Sequence, residues 1–145
     1  MAAATLRRRS WRLARLWQAG VLGAAVAAVL NAVIYVTARA LGTSFVVQPP
    51  NRDPSEVSIG AVILITILPL LAATLVYGML RRLTRRAFRM FIVLAAVVFL
   101  VMLIPPLGAA RELSTAVALT LMHAVATAAI LGALALFERS TFPGT

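Results

Sequence analysis

His123 is the only histidine in the chain and stands inside a long uncharged run. Thr120 and Thr127 lie three residues before and four after it, which on a helix puts all three on one face. A second polar stripe, Asn31, Tyr35 and Arg39 at i, i+4 and i+8, runs along an earlier apolar stretch, and Thr66 stands in a third. Polar groups in hydrocarbon are costly unless partnered, which makes each of these a candidate for function. Two chemistries fit the pattern. In one, Asn31, Tyr35, Thr66, Thr120 and His123 line a small binding or permeation pocket in the outer half of a helix bundle, with Arg39 at its mouth attracting anions. In the other, the same groups hydrogen-bond between helices, at about 0.6–2 kcal/mol per contact. The second needs no ligand, and His123 has no titratable partner in its run, so interhelical bonding is the simpler expectation.

Catalysis is not expected. Cysteine is absent and only four acidic residues are present. Every serine falls in a loop or at a helix end, away from the depth of His123, so a serine–histidine pair cannot form. The sequence has no zinc-ligand spacing, no paired carboxylates within an apolar run and no phosphate-cradling glycine loop. Membrane haem sites use paired histidines, which a single His123 does not supply. No cofactor and no metal are therefore expected.

The elements that must carry these residues are legible from hydropathy. Of 145 residues 62% are hydrophobic and 12% charged, and the mean hydropathy is +0.98, values that place the chain in lipid. Uncharged runs extend over 16–38, 57–80, 90–110 and 113–137. Each meets the length of about 20 residues that a spanning helix needs. The expected fold is an all-α, four-span antiparallel bundle with spans at 16–41, 57–80, 90–106 and 114–137, a basic segment at 1–15 and a tail at 138–145. The first run is too long for the apolar part of a cleaved signal, which favours an uncleaved span.

Charge sets the orientation. Arg7, Arg8, Arg9, Arg12 and Arg15 precede the first span, Arg81, Arg82, Arg85, Arg86 and Arg89 join the second to the third, and Arg139 follows the fourth. Against these stands Glu138 alone, so the whole net charge of +10 lies on one side. By the positive-inside rule both termini are cytoplasmic, in a multi-pass protein of the cell membrane. Nucleic acid is not an expected partner, because the arginines sit at the ends of membrane spans; the bilayer and its anionic headgroups are nearer. A helical reading of 81–89 aligns Arg81, Arg85 and Arg89 on one face against those headgroups. Arg8, Arg12 and Arg15 share another, with Trp11 and Trp17 as interfacial anchors.

Smaller signals complete the plan. Gln48 to Pro54 carries three prolines and reads as an exposed polar connector, with Ser55 or Ser58 capping the next helix. Pro69 should loosen the second span, and Pro105-Pro106 should end the third. Gly20, Ala24 and Ala28, and likewise Ala124, Ala128 and Gly132, offer small-residue faces for close helix packing, expected within the monomer. A membrane-protein partner or a second copy is the remaining class of protein partner.

Several of these stretches together resemble a family of small four-span membrane proteins of high-GC Gram-positive bacteria, catalogued as a domain of unknown function. They are Asn31 with Ala32-Val33-Ile34-Tyr35, Ala38-Arg39-Ala40-Leu41-Gly42, the proline in span two, Ile104-Pro105-Pro106-Leu107 and Ala118-Leu119-Thr120-Leu121-Met122-His123. The resemblance implies a four-helix membrane fold and supplies no activity. The expected role is a non-enzymatic structural, accessory or partner-binding membrane protein; the alternative is a small transporter or channel that uses the polar pocket.

Overall fold

The computed structural model describes residues 2–141, with side chains described at Trp11 and from Leu13 onward. Of the expected basic face only Arg15 therefore falls among the described side chains, its guanidinium 4.8 Å from the Trp11 ring centroid. Residues 142–145 of the expected tail also lie outside. In chain order the elements are α1 (Ala2–Ala40), β1 (Val46–Val47), β2 (Ser55–Glu56), α2 (Ile59–Leu83), α3 (Ala87–Met102), α4 (Ile104–Ala109) and α5 (Leu113–Thr141). Four helical stretches, Leu13–Ala40, Ile59–Leu83, Ala87–Ala109 and Leu113–Thr141, are long and apolar enough to cross a bilayer.

Helix α1 is the centre of the packing, lying against α5 on one side and α2 on the other. Small residues make this approach close. A Cβ on Gly20 would stand 2.3 Å from Thr74 Oγ1, and one on Gly23 would stand 2.9 Å from the Ala133 Cβ. Gly20, Ala24 and Ala28 are indeed buried on this face, as small-residue helix packing requires. On α5 the structure departs from expectation: Ala128 is exposed and Gly132 has open space beside it, while Ile130, Ala133 and Leu134 meet the neighbours. At Gly23 the approach is to Ala133 and the backbone of Ala129 and Ile130, so the small-residue face of α5 is displaced from the one expected.

At the arginine-rich end, α2 is clamped to α5 and α3. Tyr77 is fully buried, with edge-on contacts to Phe88 and Phe91 at centroid distances of 6.3 and 5.2 Å. Its hydroxyl donates to Glu138 Oε1, and Arg81 Nη1 donates to the same oxygen at 2.7 Å. The continuous helix expected through Arg81, Arg85 and Arg89 does not form. Thr84 is extended (φ −146°, ψ 149°), and its hydroxyl accepts from the Arg86 amide at 3.1 Å. A threonine side chain bonding its own backbone competes with helix continuation, and α3 starts afresh at Ala87.

At the opposite end the connector between α1 and α2 is an ordered cap. Strands β1 and β2 pair antiparallel, Val46 with Glu56 and Val47 with Ser55. The other edge of β1 takes the chain after α4: the Gln48 amide donates to Ala109 O at 2.8 Å and the Arg111 amide to Val46 O at 3.3 Å. Phe45, fully buried at φ +54°, stacks on Tyr35 with centroids 4.4 Å apart, which bolts the cap to α1. Helix α3 ends at Met102, just before Pro105 and Pro106. They occupy the first turn of α4, where a proline needs no amide partner, so the helical stretch runs on to Ala109.

Candidate functional site: a cleft behind α3

Helix α3 is held at its arginine-rich end and stands off beyond it. Only Ala87 and Phe91 of its residues are buried. The space behind it is a cleft of about 390 Å³ between α2, α3 and α5, with Asn31 of α1 reaching it from the central helix. Its walls are almost entirely apolar, with Leu70, Val76, Phe91, Val98, Phe99 and Met122 among them. The polar exceptions are Asn31, Thr66, His123 and Thr127.

Three of the six pocket candidates thus converge. Asn31 Nδ2 donates to Thr66 Oγ1 at 2.9 Å, and the Thr66 hydroxyl donates to its own helix at Val62 O, 2.7 Å away. Asn31 is 2% exposed, and its Oδ1 has no hydrogen-bond partner. His123 Nδ1 lies 2.7 Å from Leu119 O. A carbonyl can only accept, so Nδ1 carries a hydrogen. Thr127 donates to His123 O at 2.9 Å. Pro69, also in the wall, cannot supply the amide that the Ile65 carbonyl would take in a regular helix.

The other three candidates lie elsewhere. Tyr35 donates to Val57 O at 3.0 Å and supports the cap. Arg39 binds Ser44 O at 2.8 Å and pairs with Glu56, so its charge is neutralised within the cap instead of standing at a mouth. Thr120 is not in the cleft wall, and its hydroxyl oxygen is buried without a partner. Among the arginines, Arg81 is engaged by Glu138 and also lies 5.6 Å from the Phe137 ring centroid, while Arg82, Arg85, Arg86 and Arg89 are exposed. The α3 wall of the cleft escaped the sequence reading, since nothing in 90–102 is polar. The Tyr77–Glu138–Arg81 clamp carried a readable signal: Thr66, Leu70, Thr74, Tyr77 and Arg81 follow one helical stripe.

No group of three or more potential metal ligands occurs among the described residues. Four apolar helices of membrane length under a small β cap define a small multi-pass membrane protein. The chain belongs to a family of unknown function, DUF6069, whose model matches residues 11–140 and so takes in the cleft, the cap and the clamp. No curated protein and no solved structure matches it.

Proposed function

We propose that the protein is a non-enzymatic component of the cell membrane whose cleft holds one lipophilic molecule. The observation that carries this reading is the apolar cleft of about 390 Å³ behind α3, with Asn31, Thr66 and His123 as the few polar residues in its wall. The volume of about 390 Å³ falls in the range of small-molecule sites, roughly 300–1,000 Å³. A small transporter is supported less well, because Arg39 is paired within the cap and not available to gather anions.

Orientation follows from charge. The exposed Arg82, Arg85, Arg86 and Arg89, the N-terminal arginines and Arg139 put both termini on the cytoplasmic side, where the four exposed arginines meet anionic headgroups. Delipidated protein should gain thermal stability on adding a long-chain lipophile, because a ligand that binds only the folded state stabilises it. Ala95→Phe, which fills the cleft, should abolish the gain. An equal gain in Ala95→Phe would contradict the reading, and a dimer that Ala95→Phe dissociates would assign the cleft to a second copy.

A further inference from the structure

Resting on the reading of the cleft as a lipophile site, we infer that its shape selects one unbranched alkyl chain of about 13 carbons, lying along the helix axes, over ring systems and branched lipophiles. The walls are stripes. On α3 the lining residues Phe91, Leu94, Val98 and Met102 recur every three or four positions, which is one face followed for three turns. On α5 the lining runs from Leu119 to Ile130, and on α2 from Val62 to Val76. The cleft is therefore a slot parallel to the helices, and the rise from Phe91 to Met102 is about 16 Å at 1.5 Å per residue. At the arginine-rich end it stops at Phe91, which is buried and packed edge-on against the fully buried Tyr77.

Volume and length together fix the width. About 390 Å³ spread over about 16 Å leaves a mean section of about 24 Å², close to 5 Å across. Apolar atoms in contact stand about 4–4.5 Å apart, so a slot of this width takes one chain and not two abreast. A fused ring system or a branched chain is wider and would have to press α3 outward. An extended chain advances about 1.25 Å per carbon, from a C–C bond of about 1.52 Å and an angle of about 111°, so about 13 carbons reach from Phe91 to Met102. Fit has to supply the preference. Lipid chains are as apolar as the slot, so entering it gains little hydrophobic energy, and the gain comes from contacts denser than those of a fluid bilayer.

The test titrates delipidated protein in detergent with primary n-alcohols of about 8 to about 18 carbons and with a sterol, reading retention by native mass spectrometry and stabilisation by thermal shift. Each reading is taken as the difference from Ala95→Phe, which removes effects of the probe on the micelle. The difference should rise with chain length to about 13 carbons and then level off, and the sterol should bind at least about tenfold more weakly than the best alcohol. Ala73→Leu, one turn inside the Val76 end of the slot, should move the plateau down by about four carbons, the equivalent of one turn of about 5.4 Å. Met102→Ala, at the other end and on the thinly packed α3, should move it up, and it serves where Ala73→Leu folds poorly. Ala96→Leu, exposed and outside the slot, should leave it unmoved. A difference that keeps rising through about 18 carbons, a sterol that binds as tightly as the best alcohol, or a plateau that neither end variant moves overturns the chain selection and leaves the cleft standing. No difference from Ala95→Phe with any probe overturns the cleft as a lipophile site.

Discussion

Helices α1 and α3 are both apolar and long enough to lie in a membrane, yet they do opposite work. In the most apolar window of α1 39% of residues are buried, against 11% for the stretch containing α3. The difference is one of side-chain size and placement. Helix α1 places glycine and alanine every three or four residues, so two neighbours press close and a tight three-helix core of α1, α2 and α5 results. Helix α3 lines the gap between itself, α2 and α5 with Leu94, Val98, Phe99 and Met102, and that gap is the cleft. A bilayer gives little hydrophobic drive to close such a gap, since lipid chains are as apolar as its walls. Close packing supplies stability, and its absence supplies a site.

This contrast can be broken at several points. The largest effect belongs to Gly20→Leu, which forces a side chain into Thr74; a loss of about 3 kcal/mol or more is expected in unfolding measurements in detergent. Ala96→Leu on the exposed face of α3 should change the same measurement by less than about 0.5 kcal/mol. Next comes Glu138→Ala, which removes the shared acceptor of Tyr77 and Arg81. The pair is only about a quarter exposed, 24% and 22%, so a cost of about 1–2 kcal/mol is expected, with a Tyr77→Phe, Glu138→Ala double-mutant cycle isolating the hydroxyl's share. Asn31→Leu should alter the stability of ligand-free protein by no more than about 0.5 kcal/mol, because the lost bond to Thr66 is offset by removal of the unmet Oδ1. Arg39→Ala, whose pair with Glu56 is nearly half exposed, is expected to cost well under 1 kcal/mol.

The sequence reading reached the helices and one layer of the site, and its limits have physical causes. Runs of some 20 apolar residues announce spans by length alone, and the polar stripe of α1 gave Asn31 its inward direction. Thr66 and His123 could be assigned to the same depth by counting residues. The cleft itself was out of reach, because it depends on how far α3 stands from its neighbours and an all-apolar helix has no stripe to reveal its orientation. Arg39 was read as open to the outside because its partner, Glu56, lies across a turn whose pairing is set by β1 and β2. That hairpin left a faint trace in Phe45-Val46-Val47 ahead of Pro49-Pro50-Asn51, an apolar β-rich run followed by turn formers. Thr84, one polar residue among arginines, is what divides 81–89 into a helix end, a turn and a helix start.

The account's central claim is that a lipophile occupies the space behind α3 and not the apolar surface at large. A photoreactive long-chain alcohol, activated on the protein in lipid nanodiscs and mapped by mass spectrometry, tests it directly. Labels should concentrate on cleft residues such as Val98, Phe99 and Met122 and be displaced by excess unlabelled alcohol. Labels spread evenly over outward residues of α1 such as Val21, Val29 and Val33, with no displacement, would contradict it.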